Sequence, residues 1–339
     1  MTDVSTIGLD LAKKVFQVHG VDASGTVLIR RALRRDRVLG FFAKLPRCLV
    51  GMEACATAHH WARELRELGH DVRLIPPAYA KAYVRRNKND PADAAAICEA
   101  VSRPSMRFVE IKTGQQQADT GLHKVREVLM KQRTMLMNHM RGLMAEFGIV
   151  VAEGPAHIAE LVAILADPGD HRIPASLLDG LLAIATLLRS IEQKLETIDK
   201  QIVVASRSNA TCRHLITAPG FGPIVSSAMA AFVVNPAAFR SGGDFAASLG
   251  LVPRQDGTGG KVKLGPISKR GNGYLRRLLV NGAMSVLNSK LARHDPWLVK
   301  LLASKPRKVV AVALANKMAR IAWALMIRQE DFRAVPAAA

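Results

Sequence analysis

The first hundred residues alternate apolar and polar side chains in short runs, which is the pattern of half-buried β-strands. In the segment 6–12, isoleucine and leucine fall on one face, and glycine, aspartate and alanine fall on the other. Glycine, proline and small polar residues separate the runs, as expected of turns. A helix is predicted from about Thr57 to Leu68. The predicted strands are Thr6–Ala12, Val15–Val21, Val27–Leu33, Cys48–Met52 and Val72–Ile75.

The periodicity becomes helical after Thr113. Leucine recurs at every seventh position in a first segment, and apolar residues alternate at spacings of three and four in a second. Such repeats are typical of coiled coils, so the segments are predicted to form either a hairpin within one chain or a contact between two chains. The repeat positions are Leu122, Leu129, Leu136 and Leu143, followed by Leu181, Ile184, Leu188, Ile191, Leu195, Ile198 and Ile202.

The C-terminal part predicts helices around glycine-rich turns. The sequence TAPGFGP, beginning at Thr217, separates two apolar stretches and looks like a helix-hairpin-helix, in which glycine amides can bind a phosphate. An ordinary glycine-rich turn explains the same residues. A stretch rich in glycine and basic residues then leads into a helix from about Gly273, and a last helix covers Val309–Ile327. The predicted fold class is therefore α/β followed by all-α, with a mainly α C-terminal domain.

Charge narrows the choice of partner. The chain carries 48 Lys and Arg against 28 Asp and Glu, a net charge of +20, and the segment Leu251–Arg328 contains 16 Lys and Arg but only two acids. Such an excess of positive charge indicates that the binding partner is a polyanion. Nucleic acid is favoured over a membrane surface, because no signal peptide, lipidation motif or apolar run long enough to span a bilayer is evident. Four scattered cysteines without a CxxC pair predict neither disulfides nor a zinc site.

Four acidic residues are the candidate catalytic groups. Asp10 closes the first predicted strand and Glu53 follows the fourth. In a ribonuclease-H-like sheet these strands are neighbours, so the two carboxylates would lie side by side. Asp90 and Asp93 mark a predicted helix start and, three residues apart, share one helix face. Together these oxygens would suit Mg²⁺ or Mn²⁺, whereas the aspartate pair alone is also a common helix N-terminal capping pattern.

Basic residues lead into the aspartate pair and surround a second candidate site. Arg85, Arg86 and Lys88 immediately precede Asp90 and are predicted phosphate contacts. Thr258 is a small hydroxyl among glycines, where a backbone can approach a phosphate closely. The alternative is a loop that binds phosphate without chemistry of its own. The cations predicted to bind nucleic acid there are Arg254, Lys261, Lys263, Lys269, Arg270 and Arg276.

In order and spacing, these motifs resemble the DEDD transposases of the one-ten/eleven-eleven insertion-sequence family. The resemblance covers nearly the whole chain, and its last block is the most specific. It rests on five blocks, which are GLDLAKKVFQVHGVD from Gly8, GMEA from Gly51, NDPADA from Asn89, TAPGFGP from Thr217 and LGLVPRQDGTGGKVKLGPISKRGNGYLRRLL from Leu249.

The resemblance implies roles for individual residues. Thr258 stands where the family has a serine nucleophile that becomes joined to DNA, and Ser268 is the alternative hydroxyl. The metal-bearing acids of another subunit would complete that site. The family's metal-binding DEDD tetrad falls on Asp10, Glu53, Asp90 and Asp93.

The resemblance also implies an architecture and partners. We expect a RuvC-like nuclease domain over residues 1–110, a coiled-coil dimerisation segment over 111–205 and a transposase domain over 206–330. The implied partners are DNA at the element ends and at the target, a structured guide RNA and further copies of the chain in a dimer or tetramer. The implied location is the bacterial cytoplasm, at the nucleoid.

Three other functions share some of these features. A RuvC-type junction-resolving nuclease would use the same carboxylates but hydrolyse with water, without a covalent protein–DNA adduct. A non-catalytic architectural DNA-binding protein would use the basic C-terminal half and leave the four acids without a purpose. A sugar kinase of the actin-like superfamily shares an early strand-end aspartate, but the chain lacks the further glycine-rich phosphate loops of that fold.

Overall fold

The computed structural model describes residues 3–80, 90–258 and 261–333. The chain divides into two compact units, Met1–Gln115 and Gln116–Ala339, and each unit has apolar core clusters of its own. The finer division into domains 1–110, 111–205 and 206–330 stays a prediction.

Unit 1 is built on a mixed five-stranded sheet with strand order β3-β2-β1-β4-β5. The first three strands are antiparallel, and β4 and β5 run parallel to β1. The elements are β1 (Thr6–Asp10), β2 (Val15–Val21), β3 (Val27–Arg34), α1 (Val38–Phe42), β4 (Leu49–Glu53), α2 (Ala58–Glu67), β5 (Asp71–Ile75), α3 (Pro77–Ala80) and α4 (Asp90–Val101). The predicted mixed α/β class is confirmed, and the sheet is consistent with a ribonuclease-H-like domain.

The alternation of the strands assigns the two faces of this sheet. Ile7 and Leu9 of β1 lie on the face that α1 and α2 cover, together with apolar residues of the other strands. Gly8 and Asp10 lie on the opposite face, because successive side chains of a strand point to opposite sides. That second face receives α4. Strand β1 ends at Asp10, two residues earlier than predicted, and β4 includes Glu53.

Unit 2 is mainly helical, with one two-stranded sheet. Residues 253–258 and 261–267 lie in the stretch rich in glycine and basic residues, for which no strands were predicted, but they form an antiparallel hairpin. Its elements are α5 (Gly114–Ala145), α6 (Ile158–Ala166), α7 (Ala175–Ser208), α8 (Ala210–Ile216), α9 (Pro223–Phe232), α10 (Gly242–Ser248), β6 (Pro253–Thr258), β7 (Lys261–Ile267), α11 (Gly273–Asn288), α12 (Leu291–His294), α13 (Pro296–Ser304) and α14 (Arg307–Arg328).

The long helices α5 and α7 pack antiparallel within the chain. Arg126 donates two hydrogen bonds to the Asp199 carboxylate, at 2.5 and 3.1 Å. At the other end of α5, Met140 shares an apolar cluster with Leu181 and Leu188 of α7. Methionines of α5 are buried there, while the predicted leucine stripe is only half-buried. A coiled coil and a contact between two chains remain predictions.

The TAPGFGP segment joins α8 to α9 as a turn, as expected. Gly220 in this turn has φ +83°, a conformation that favours glycine, and a Cβ there would lie 2.7 Å from the Met318 Cε atom and 3.0 Å from the Gly282 carbonyl oxygen. The turn therefore packs closely against α11 and α14. Phosphate binding by its amides stays a prediction.

Helix α14 lies in the core of unit 2. By length and hydropathy alone it would pass as a membrane span, although half of its most apolar window is buried in the chain. The expectation that no segment is long and apolar enough was therefore wrong. Its apolar side chains, such as Leu314, Met318 and Leu325, pack among those of other helices.

A buried histidine couples three helices and predicts a pH dependence of stability. The ring nitrogens of His123 lie 3.1 Å from the Tyr274 hydroxyl and 3.1 Å from the Ser227 hydroxyl. Burial, reinforced by the Arg126 charge and opposed by Asp119 and Asp199, lowers the pKa of His123 from 6.5 to about 4.

The unfolded chain therefore binds a proton at a higher pH than the folded one does. We expect the free energy of unfolding to fall by up to about 3 kcal/mol as the pH drops from 6.5 towards 4. Urea unfolding across this range should show the fall in the wild type and a smaller fall in His123→Gln, which does not titrate. His157→Gln, a change at a histidine paired with Glu160 on the surface, should keep the wild-type slope. Parallel profiles for the wild type and His123→Gln would contradict this expectation.

Candidate active site

Two of the predicted acids lie at the same edge of the sheet. Strands β1 and β4 are adjacent and parallel, and their last paired residues are Leu9 and Met52. Asp10 and Glu53 follow directly as the terminal residues of their strands. The sequence prediction that these two strands are neighbours is confirmed, and each strand ends in an acid at the same edge of the sheet.

The negative charges of both acids act on the thiol of Cys55. Burial raises the pKa of Cys55, and the charges of Glu53 and Asp10 both add to this effect. Cys55 follows Glu53 by two residues, just beyond the end of β4. This edge of the sheet concentrates negative charge in a strongly basic chain.

Two glycines let α4 lie directly on the strands that carry these acids. A Cβ on Gly8 would collide with the Ala94 carbonyl oxygen and lie 2.5 Å from the backbone nitrogen of Cys98. A Cβ on Gly51 would lie 2.7 Å from the Cβ atom of Val101. Gly8 and Gly51 precede Asp10 and Glu53 by two residues, so they share the acids' face of the sheet. Helix α4 therefore covers the face on which both carboxylates stand.

The start of α4 carries the other two acids. It begins at Asp90, as predicted, and the side chain of Asp90 lies outside the described residues. The Oδ1 atom of Asp93 is buried and has no hydrogen-bond partner in the described part of the chain. A buried carboxylate oxygen without a partner is costly. A bound cation would remove this cost.

A small cavity beside α4 contains residues that the sequence analysis missed. Gln17 of β2 pairs with Asp10 in the sheet register and lines this cavity together with His19, Arg30 and Ala92 of α4. Burial and the Arg30 charge lower the pKa of His19. The sequence could have identified these residues, because alternation along β2 places Gln17 and His19 on the same sheet face as Gly8 and Asp10.

The described side chains do not by themselves complete a metal site. Among them, no three His, Cys, Asp or Glu residues lie close enough together to hold one ion. Asp10, Glu53 and Asp93 thus need a further ligand or a movement of α4. Two features nevertheless fit a divalent cation, namely the adjacent strand-end carboxylates and the unpartnered Asp93 oxygen. Oxygen donors of this kind suit Mg²⁺ and Mn²⁺.

The predicted nucleophile lies on the hairpin of unit 2. Thr258 is the last residue of β6 and pairs with Lys261, the first residue of β7, and the side chains of both lie outside the described set. Ser268 follows β7, where its backbone N–H donates to the Val252 carbonyl and its hydroxyl accepts a 3.5 Å hydrogen bond from the Arg270 N–H. Only Ser268 therefore has a described hydroxyl partner.

The predicted nucleic-acid contacts fall into three groups. Arg85, Arg86 and Lys88 lie outside the described residues, as does the side chain of Lys261. Arg276 is partly used inside the fold, because one guanidinium nitrogen donates to the Leu249 and Arg270 carbonyls, at 2.9 and 2.8 Å. Its contact with nucleic acid stays a prediction. The predicted cations whose side chains are exposed are Arg254, Lys263, Lys269 and Arg270.

A pair of turns fixes the base of the hairpin. Gly250 and Gly271 have φ near +70°, at +70° and +71°. A Cβ on Gly250 would lie 2.5 Å from the Arg270 backbone nitrogen, and one on Gly271 would collide with the Ser248 carbonyl oxygen. The segments on either side of the hairpin therefore touch backbone to backbone, and this contact fixes where β6 and β7 start and end.

Comparison with known proteins agrees with this arrangement. Residues 7–149 match a DEDD transposase family model associated with IS110, and residues 212–297 match the "Transposase IS116/IS110/IS902 family" model. A Pseudomonas aeruginosa protein named a probable family 20 transposase is 48% identical over 98% of this chain and 99% of its own length. The Yersinia enterocolitica transposase for insertion sequence element IS1328 is 41% identical over 95% and 97%. The Coxiella burnetii transposase for IS1111A is 38% identical over 98% and 92%.

Proposed function

The chain belongs to the IS110 family of transposases, and from this premise we propose that it cuts DNA at the ends of a mobile element and rejoins it at a target through a hydroxyl nucleophile. One observation carries the proposal. The carboxylates of Asp10 and Glu53 end adjacent parallel strands, and α4, which bears Asp90 and Asp93, lies directly on the same face.

We propose that the four acids hold the divalent cations of the reaction. Asp10 and Glu53 would supply oxygens from the sheet, and Asp90 and Asp93 from the first turn of α4. The Oδ1 atom of Asp93, without a partner in the part of the chain that the structure describes, and the oxygen-only donor set support Mg²⁺ or Mn²⁺. When bound, such ions neutralise charge on a phosphodiester and favour ionisation of a hydroxyl.

The proposed nucleophile is the hydroxyl of Thr258. Its oxygen would form a bond to the phosphorus while the bond from phosphorus to a deoxyribose oxygen breaks. The threonine proton passes to solvent, and the released deoxyribose oxygen takes up a proton to become a free hydroxyl. Attack of a strand hydroxyl on the protein–DNA bond would reverse these changes and rejoin the DNA. Each step replaces one phosphodiester bond with another, so no external energy source is needed.

Further parts of the proposal come from the family resemblance. A structured RNA would select the donor and target DNA, and more than one copy of the chain would assemble so that the acids of one subunit meet the hydroxyl of another. The exposed cations Arg254, Lys263, Lys269 and Arg270 would hold the DNA backbone beside Thr258, and Lys261, Arg276, Arg85, Arg86 and Lys88 would add contacts.

The test is to trap a covalent protein–DNA species. Labelled element-end DNA is incubated with the protein, its RNA and Mg²⁺, and the products are separated under denaturing conditions. The wild type should give a shifted band whose linked residue, mapped by mass spectrometry, is Thr258. Thr258→Val, which keeps the shape but lacks the hydroxyl, should lose the band while retaining DNA affinity.

Two matched variants sharpen this test. Thr258→Ser should keep the adduct, because it keeps the hydroxyl. Ser268→Ala should also keep it, since Ser268 already has a backbone partner in Arg270. An adduct mapped to Ser268 would identify Ser268, rather than Thr258, as the nucleophile. DNA cleavage without any adduct would instead indicate hydrolysis by water, as in a junction-resolving nuclease.

A further inference from the structure

Unit 2 contains a large groove that the proposed chemistry does not use. It lies between the hairpin and α14, and its volume is about 1220 Å³, which exceeds the usual range of about 300–1,000 Å³ for small-molecule pockets. Its floor is apolar, with Leu251, Ile267, Val312 and Ile321 among the lining residues. A groove of this size and character is suited to a segment of a polymer.

The rim of the groove is cationic. Lys308, Lys317 and Arg320 line it and are exposed, and the described lining residues include no acid. Asp295 lies close by, 3.9 Å from the Lys317 ammonium group. Two of the three rim cations thus have no ion pair among the described residues. The occupant must combine apolar surface with negative charge.

An exposed indole ring stands in the groove wall. Trp297 is 37% exposed, and the Lys317 ammonium group lies over one face of its ring, 4.5 Å from the centroid. An exposed tryptophan beside a lysine is the combination on which unpaired bases stack while their phosphates are neutralised. Such stacking tolerates any sequence, because every base has a flat aromatic face.

Two other occupants fit these observations less well. Duplex DNA presents phosphates and base edges while its base faces are stacked inside, so it would leave the apolar floor uncovered. A second copy of this chain carries a net charge of +20 and would be repelled by the rim. An unpaired strand presents both base faces and phosphates, and so matches both parts of the groove.

We propose that this groove binds an unpaired DNA strand, with a base stacked on Trp297 and phosphates held by Lys308, Lys317 and Arg320. This inference deepens the proposed function, since a recombinase that exchanges strands must hold a strand once it is separated. It assigns strand holding to α13, α14 and the base of the hairpin, and the residues involved do not include Thr258 or the four acids.

The proposal is tested with full-length protein and a fluorescent homothymidine oligonucleotide, by fluorescence anisotropy. Trp297→Ala should weaken single-strand binding by roughly 5- to 100-fold, whereas Trp297→Phe should retain most of the affinity. Affinity for duplex DNA should change much less. The aromatic variant also shows whether any loss in Trp297→Ala reflects misfolding, because phenylalanine keeps an apolar ring at this position.

Salt dependence tests the rim separately. Each phosphate contact contributes about 0.7 to the slope of log affinity against log salt for single strands, so Lys308→Gln combined with Lys317→Gln should lower the slope by up to about 1.4. Trp297→Phe should leave the slope unchanged. Lys300→Gln is the matched control, because Lys300 is an exposed lysine of α13 that does not line the groove.

The outcomes separate this proposal from the proposed function. Unchanged single-strand affinity in both Trp297→Ala and the double lysine variant would overturn the groove assignment, even if the Thr258 adduct forms normally. Equal weakening on duplex and single-stranded DNA would overturn it too, as would binding of homouridine RNA but not DNA. A change in self-association by sedimentation, with DNA binding intact, would assign the groove to a contact between copies. Loss of the adduct with normal single-strand binding would count against the proposed function alone.

Discussion

Replacing Asp10 with asparagine is expected to stop DNA cleavage, with a loss of roughly a thousandfold or more if the carboxylate holds a catalytic cation. Asparagine keeps the shape of the side chain but removes the negative charge at the end of β1, beside Glu53. DNA affinity should remain near that of the wild type, because binding depends on cations elsewhere in the chain. The measurement is cleavage of labelled element-end DNA, alongside binding to the same DNA.

Metal binding gives a second readout that does not depend on activity. A cation that binds only the folded chain raises its melting temperature, so Mn²⁺ should stabilise the wild type, and Asp10→Asn and Asp93→Asn should reduce the shift. Without the cation, Asp93→Asn should not lose stability, because it relieves repulsion among clustered acids. Glu99→Gln is the control, since Glu99 is a surface acid of α4 paired with Arg103.

The same measurements test the simpler interpretation that Asp90 and Asp93 only stabilise the N-terminus of α4. If Asp93 only favours the helix N-terminus, Asp93→Asn should cost about 0.3–1 kcal/mol of stability without added metal, while cleavage and the Mn²⁺ shift persist. A full Mn²⁺ shift in both aspartate variants would remove the acids from any metal site. The Oδ1 atom of Asp93, which is buried and has no partner among the described residues, is the reason we expect the opposite.

The sequence was sufficient for the strand pattern of unit 1, because alternation is a local property. It also predicted that Asp10 and Glu53 end neighbouring strands, and the parallel pairing of β1 with β4 confirms this. The hairpin formed by β6 and β7 was missed, because glycine and lysine are poor strand formers and the strands there are fixed by contacts between distant turns. One of these contacts joins Gly271 to the Ser248 carbonyl.

Side-chain partners were harder to predict than elements. The leucine repeat in α5 marked the helix, but its leucines are only half-buried, whereas Met137, Met140 and Met144 are buried. Which row of side chains along α5 becomes buried depends on where the neighbouring helix packs, and the periodicity of the sequence does not show this. Likewise, charge alone did not reveal that Arg276 is bound to two backbone carbonyls. The number of cations predicts that the partner is a polyanion, but it does not predict which of the cations contact that partner.

How closely α4 approaches the sheet could not be predicted from the residue pattern, and this distance supports a prediction about stability and activity together. We expect Gly8→Val to destabilise the protein by about 3 kcal/mol or more, because added atoms would meet the rigid backbone of α4 at Ala94 and Cys98. A protein that still folds should have α4 displaced, with Asp93 moved relative to Asp10. Cleavage should then be lost at temperatures where the variant remains folded, as checked by urea unfolding and by the cleavage assay.

Two further glycines provide matched comparisons for this effect. Gly40 lies in α1 with open space around its Cβ position, so Gly40→Ala should be neutral or stabilising by about 0.5–1 kcal/mol. Gly51→Ala should cost stability but less activity than Gly8→Val, because its obstacle is Val101, the last residue of α4 and the end farthest from Asp93. If Gly8→Val loses activity only in proportion to its unfolded fraction, the packing of α4 supports the fold but does not set the position of the acids.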